Sequence, residues 1–325
     1  MPERPDAATV PMTVIGGFLG AGKTTLLNHI LSRAEARCAV LVNDFGAVNL
    51  DASLIADHDG QTLKLTNGCV CCSLGSGLIE TLIGVLDAEP PFDHILIEAS
   101  GVADPWLIAE IALVEPVLRL NAVIVLAEAQ RLSALLEDPR VGDTVAAQVR
   151  AADILVLNKA DLADEGARVR ARAAAAAIKP KLHAVETVNA ELPLGLLDLE
   201  AAPRSGGTAM FRADAPSHET IFRRFLYRRR GAFRRDRLER SLETLPTSLL
   251  RLKGICRMIG EPRPMVLQMV GPRFVLSPAS QRSRAGWPIE LVGIGVNTMP
   301  EDEAFGRVLD GALEPRAPAM SLGEC

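Results

Sequence analysis

Residues Gly17-Phe18-Leu19-Gly20-Ala21-Gly22-Lys23-Thr24 read G-x-x-x-x-G-K-[ST] at every position, and no other stretch restricts the fold as strongly. Such a loop works only between the end of a strand and the start of a helix. Its glycines let successive backbone N–H groups turn inward as a nest for anions. The helix that follows adds the positive end of its dipole. The run Thr13 to Ile15 and the helical spacing after Thr24 supply both flanks. Gly20, Ala21 and Gly22 are therefore assigned to phosphate through their backbone, and Lys23 to the outer phosphates. Thr24, with Thr25 beside it, is assigned to the Mg²⁺ end of a bound nucleotide.

Further apolar runs follow at intervals: Ala39 to Val42, Ile95 to Ile97, Ala122 to Leu126 and Ile154 to Leu157. Runs this continuous suit strands buried on both faces of a parallel sheet. The segments between them, such as Thr24 to Arg37 and Ala171 to Ile178, have helical spacing. The expected fold is α/β, a P-loop NTPase with a doubly wound, mostly parallel sheet over residues 9–200. At 48% hydrophobic and 23% charged residues in 325, the chain has ample material for a core. Residues 201–217, rich in Pro, Gly, Ser and Ala, read as a linker. A smaller α+β domain is expected over 218–313: a strand from Ile221 to Tyr227, a helix from Asp236 to Leu245, strands near Met265 to Val270, Phe274 to Leu276 and Ile289 to Ile294, and a helix from Glu301. Residues 314–325 read as a frayed tail. The net charge of −5 conceals an asymmetry: residues 1–200 hold 15 basic and 27 acidic side chains, and residues 201–325 hold 20 and 13. Nucleic acid is disfavoured as a partner of the chain as a whole.

Two more motifs refine the nucleotide reading. Ile95-Leu96-Ile97-Glu98 puts a carboxylate at a strand end, where sheets of this type form their ligand crevice. Glu98 is a candidate to hold Mg²⁺ through water or to position the attacking water, and Gly101 and Asp104 after it suggest a mobile loop. Asn158-Lys159-Ala160-Asp161 follows the strand Ile154 to Leu157. Asp161 can accept paired hydrogen bonds from guanine N1 and its exocyclic amine, which adenine cannot supply. GTP is expected over ATP.

Six cysteines occur, and three crowd into Asn67-Gly68-Cys69-Val70-Cys71-Cys72. Clustered thiols suit metal or redox chemistry in a reducing compartment better than a disulfide framework. Cys69, Cys71 and Cys72 are candidate ligands for Zn²⁺ or Co²⁺. So short a turn favours an open site of two or three thiolates, suited to handing metal on. Cys38, Cys256 and Cys325 read as bystanders, and the five histidines show no paired ligand spacing. With no secretion signal in the opening residues and no apolar run of membrane-spanning length, the expected location is the cytoplasm.

In order along the chain, GGFLGAGKTTLLNHIL, VNDFGAVNLD, LTNGCVCC, IEASGVADP and LNKADL resemble the CobW-type GTPases. LLRLKGI and the later GW…LVGIG extend the resemblance into the second half. It implies GTP hydrolysis coupled to binding and delivery of zinc or cobalt to a client protein. Carried over, Lys23 and Thr24 serve phosphate and Mg²⁺, Asn158, Lys159 and Asp161 serve guanine, and the CxCC cysteines serve the metal. Asp44 falls at the acidic place of the family's Asn-Glu-Phe-Gly loop, an expected contact of Mg²⁺ or the attacking water, which makes Lys23, Asp44 and Glu98 the catalytic candidates. The chain departs from the pattern at Ala47, Lys64 and Glu128, and it lacks the histidine-rich segment of many zinc-handling members.

Rival readings are a regulatory GTPase with a structural metal site and a P-loop small-molecule kinase, which the guanine signature disfavours. Eight arginines between Arg223 and Arg237, interleaved with Phe225, Tyr227 and Phe233, fit a half-exposed strand and loop, docking against the acidic first domain, or, less well, a nucleic-acid patch. The sequence leaves the oligomeric state open.

Overall fold

A computed structural model describes residues 9–34, 36–43, 62–67, 76–197, 199, 222–279 and 289–314. Backbone contacts divide the chain into two units, Met1–Thr220 and Ile221–Cys325.

In the first unit, β1 (Val10–Gly17), β2 (Cys38–Asn43), β3 (Thr62–Asn67), β4 (His94–Glu98), β5 (Leu118–Glu128), β6 (Ile154–Asn158) and β7 (His183–Glu186) form one sheet in the order β3-β2-β4-β1-β5-β6-β7. Every neighbouring pair is parallel. The expected doubly wound sheet is thus wholly parallel, and it gains β3 and β7, which the sequence reading did not mark as strands. The central strands are buried on both faces: β4 and β6 hold no residue outside the buried class.

The helices are α1 (Lys23–Leu31), α2 (Ser76–Leu86), α3 (Pro105–Ala109), α4 (Ile111–Val114), α5 (Leu132–Glu137), α6 (Gly142–Ala151) and α7 (Glu165–Ile178). Leu82 of α2, Ile108 of α3, Leu132 of α5, Val149 of α6 and Ala171 of α7 share one core layer with Val14, Ile97, Val125 and Leu155 of the strands. Leu26, Leu27 and Ile30 of α1 are fully buried outside that layer. The β1–α1–β2 crossover runs across the sheet in the direction opposite to the connections from β3 onward. Right-handed connection therefore puts α1 on the other face. Local signals start two of these helices. Asp104 accepts from Trp106 N at 2.9 Å with Pro105 in the first turn, and Asp164 accepts from Ala167 N at 2.7 Å.

The second unit is a five-stranded antiparallel sheet, β8 (Phe222–Arg229), β9 (Leu249–Cys256), β10 (Met265–Val270), β11 (Arg273–Pro278) and β12 (Ile289–Val296), in the order β11-β10-β9-β12-β8. Two helices, α8 (Arg235–Glu243) and α9 (Asp302–Asp310), accompany it. Phe225, Tyr227, Leu252, Leu267, Leu291, Leu238 and Phe305 build its core, and the Phe225 and Phe305 rings stack with centroids 4.6 Å apart. β9, the central strand, is an element the sequence reading did not mark. The expected linker and tail, apart from Glu314, lie outside the described residues.

Candidate nucleotide and metal site

The site grows out of the carboxyl edge of the parallel sheet. β1 ends at Gly17 and hands the chain to Phe18–Gly22, and α1 begins at Lys23. Gly17, Gly20 and Gly22 hold φ of 133°, 78° and 107°, a region costly for any residue with a Cβ. Gly22 is required twice over, because a Cβ there would stand 2.4 Å from Asn158 Nδ2. No side chain caps α1, so its first N–H groups stay available to an anion. Lys23 is buried and its Nζ donates to Gly17 O at 3.0 Å, folding the ammonium back across the loop. Thr24 is half-buried and Thr25 exposed.

Glu98 is the last residue of β4 and is 3% exposed. It pairs in register with Ile15 of β1 and Val42 of β2. Thr24 Oγ1 donates to its Oε1 at 3.4 Å. A hydroxyl and a carboxylate brought together beside a phosphate loop are hard oxygen donors of the kind Mg²⁺ takes. These residues therefore fit the ion that the motif implies.

The loop after Glu98 is fastened rather than loose. Gln148 of α6 is 1% exposed, and its Nε2 donates to Gly101 O at 3.1 Å and Ala103 O at 3.0 Å. Asp104, expected in a mobile loop, is the N-cap of α3.

β6 delivers the third element. Asn158 is 2% exposed, and its side chain is committed inside the protein. Nδ2 donates to Ala21 O at 2.9 Å, and Oδ1 accepts from Ala190 N at 2.8 Å and Thr187 Oγ1 at 3.3 Å. Its amide thus locks the phosphate loop to the loop after β7, a task the sequence reading did not name. Thr187 and Ala190 escaped the sequence reading. They carry no motif, and the only local sign is a left-handed backbone at Asn189 and Ala190, both with φ of 53°. Lys159 is also left-handed, and its Nζ donates to Glu128 Oε2 at 3.2 Å. Asp161 is exposed in a short 3₁₀ turn, Ala160–Leu162.

Asp44, Cys69, Cys71 and Cys72 lie outside the described residues. Their points of attachment do not. β2 ends at Asn43, next to residue 44, and β3 ends at Asn67, two residues before Cys69. Asn43 and Asn67 are register partners on the carboxyl edge that also holds Glu98. Among the described residues no group of three or more His, Cys, Asp and Glu side chains is placed to hold a metal ion. Cys38 and Cys256 are both buried free thiols. Burial pushes each up to about 12, with the Asp93 carboxylate adding to the effect at Cys38.

The arginine cluster is largely neutralised from within its own unit. Arg223 meets Glu301 and Asp302, Arg228 meets Glu290, and Arg229 meets Asp310, at 2.8–3.6 Å. Arg235 pairs with Glu239 one helical turn on. Phe225 and Tyr227 alternate inward on β8 between exposed neighbours. No described helix is long and apolar enough to cross a membrane.

Known proteins similar to this chain include two zinc chaperones and a GTPase metalloprotein activator. The zinc chaperone YjiA of Escherichia coli is 36% identical over 197 residues, which are 58% of this chain and 60% of that protein's length. The zinc chaperone CobW of Pseudomonas aeruginosa is 30% identical over 313 residues, covering 82% of each chain. The zinc-regulated GTPase metalloprotein activator 1 of Dictyostelium discoideum is 27% identical over 304 residues, 78% of this chain and 64% of the other. Residues 222–313 match the model of the cobalamin synthesis protein cobW C-terminal domain. Residues 11–186 match that of the CobW/HypB/UreG nucleotide-binding domain, and the chain belongs to this family.

Proposed function

We propose that this chain is a GTP-hydrolysing metallochaperone that carries zinc on Cys69, Cys71 and Cys72 and releases it to a client protein under control of the nucleotide. The observation that carries the reading is the shared edge of the sheet. The phosphate loop, Glu98, Asn158 and the strand end two residues before the cysteine triplet all stand on one side of seven parallel strands.

On this reading Lys23 exchanges Gly17 O for the outer phosphates, and the N–H groups of Gly20–Lys23 take the remaining oxygens. Thr24 and Glu98 are the residues that would hold Mg²⁺, which when bound would offset phosphate charge. Asp161 accepts from the guanine edge, while Asn158 keeps base loop and phosphate loop at a fixed distance. In hydrolysis a water oxygen bonds to the γ-phosphorus as the bond to the β–γ bridging oxygen breaks. Lys23 lies against the developing charge, and Asp44 and Glu98 are the candidates to orient the water.

Zinc enters as cargo. Thiolates are soft ligands that suit it, and two of the relatives above are named zinc chaperones. Nucleotide and metal are coupled through the neighbouring ends of β2, β3 and β4, so GTP tightens the metal and, by linkage, the metal tightens GTP equally.

Anaerobic competition titrations with Zn²⁺ and Co²⁺, with and without Mg²⁺-GTP, test this in the wild type and in the Cys69→Ser, Cys71→Ser, Cys72→Ser chain. The expected results are zinc held more tightly than cobalt, an affinity about tenfold higher with GTP, and loss of the site in the serine chain. Equal affinity with and without GTP overturns the coupling. A metal retained by the serine chain moves the site elsewhere and revives a structural role for the metal.

A further inference from the structure

The loop that follows Glu98 is held at two points. Gln148 spends both N–H groups of one buried amide on Gly101 O and Ala103 O. On its other side the loop presses on the phosphate loop: a Cβ at Gly101 would stand 2.5 Å from Leu19 Cδ2 and 3.1 Å from Leu19 N. Gly101 therefore provides the close approach, and Gln148 fixes the loop in it. The loop also continues directly from Glu98, whose carboxylate faces Thr24. Gln148 sits on α6, and α6 leads within a few residues to β6 and Asn158. One short helix thus fastens the Glu98 side of the phosphate loop, while the strand after it fastens the Ala21 side.

We propose that Gln148 is a positioning residue for GTP hydrolysis, setting the Glu98–Ala103 segment against the phosphate loop so that the hydrolytic side of the site is assembled before nucleotide arrives. This rests on the GTPase reading of the same site. The bonds that retain the nucleotide, from the backbone of Gly20–Lys23, from Lys23 and from the loop after β6, do not pass through Gln148. Its loss therefore leaves ground-state binding intact and removes orientation needed only in the transition state. Such a change lowers kcat and leaves KM in place. A residue with a merely structural role would shift stability and affinity together.

The test uses Gln148→Glu, which keeps the shape and puts an accepting oxygen in place of both N–H donors, and Gln148→Met, which removes both bonds at similar length. Each is made in the full chain carrying Trp287→Phe, so that Trp106, whose backbone N–H is bound to Asp104 at the end of this loop, is the sole indole. Expected are a kcat for Mg²⁺-GTP lower by about tenfold or more, and KM and GDP affinity within about twofold of the parent. The emission of Trp106 in the nucleotide-free chain, which reports how the segment is set, shifts in both variants, and an unshifted emission overturns the inference. Parent-like kcat in either folded variant overturns the inference while leaving the GTPase reading in place. Equal loss of kcat and nucleotide affinity overturns it too, in favour of a structural role. A parent chain that binds nucleotide but turns over no GTP overturns both.

Discussion

Asn158 Nδ2 donates to Ala21 O across 2.9 Å, joining positions 137 apart in the chain. Its Oδ1 takes the Ala190 N–H in return. Removing this amide leaves buried partners on two loops, each at a cost of about 1–3 kcal/mol. Asn158→Ala is therefore expected to weaken GTP and GDP alike, by about 10- to 100-fold, with a lowered melting temperature. Titration of both nucleotides checks this, and weakening of GTP alone would contradict the tether.

Asp161 makes the opposite prediction, because it is exposed and committed to no packing role. Asp161→Asn replaces an acceptor pair with a donor and an acceptor. Guanine then meets a mismatched edge, while xanthine, with a carbonyl in place of the amine, is matched. Competition binding should show GTP weakened by about 100-fold and xanthosine triphosphate improved. Melting temperature should be unchanged.

Glu98→Gln keeps the shape of the strand end and removes the charge beside Thr24. Turnover is expected to fall about 100-fold, with GTP binding changed only a few-fold. Single-turnover hydrolysis measured alongside equilibrium binding separates the two.

Burial fixes the behaviour of two thiols. With values of about 12, Cys38 and Cys256 are thiolate in only about one molecule in ten thousand at pH 8. Maleimide should label neither in the folded chain and both after denaturation. Each folded value lies above the ordinary 9.0. Their contribution to stability is therefore complete below about pH 9 and is lost as pH climbs toward about 12. Melts across that window should fall less steeply for a Cys38→Ala, Cys256→Ala chain.

How much of this was legible in the sequence follows from range. Gly17–Thr24, Glu98 and Asn158–Asp161 were legible because each is a short string whose flanking strand is apolar and continuous. β3 and β7 were not, since Thr62, Lys64 and Thr66 dilute one and the other has four residues. β9 was missed because Arg251, Lys253 and Gly254 interrupt it, although the sheet seats it between two partners. The working contacts of Asn158 and Gln148 reach positions more than 30 residues away, and a polar residue on a strand or helix does not announce its partner.

The second unit offers a packing test. Gly293 lies beneath Phe225, and a Cβ there would fall 1.8 Å from Phe225 Cε1. Gly293→Ala is expected to cost about 1–3 kcal/mol, read as faster amide exchange in β8 and β12. Phe225→Leu made in the same chain should recover part of the loss.

The register pairing of Asn43 with Asn67 has a kinetic side. Neighbouring strands stand about 4.8 Å apart, so residue 44 and the segment carrying the cysteine triplet leave the sheet from almost the same point. Groups tethered so closely meet at an effective concentration of about millimolar or above, without any bimolecular search. On the proposed reading, the catalytic candidate at residue 44 and the zinc ligands are therefore tied to adjacent strand ends, whatever the concentrations of GTP and metal in solution.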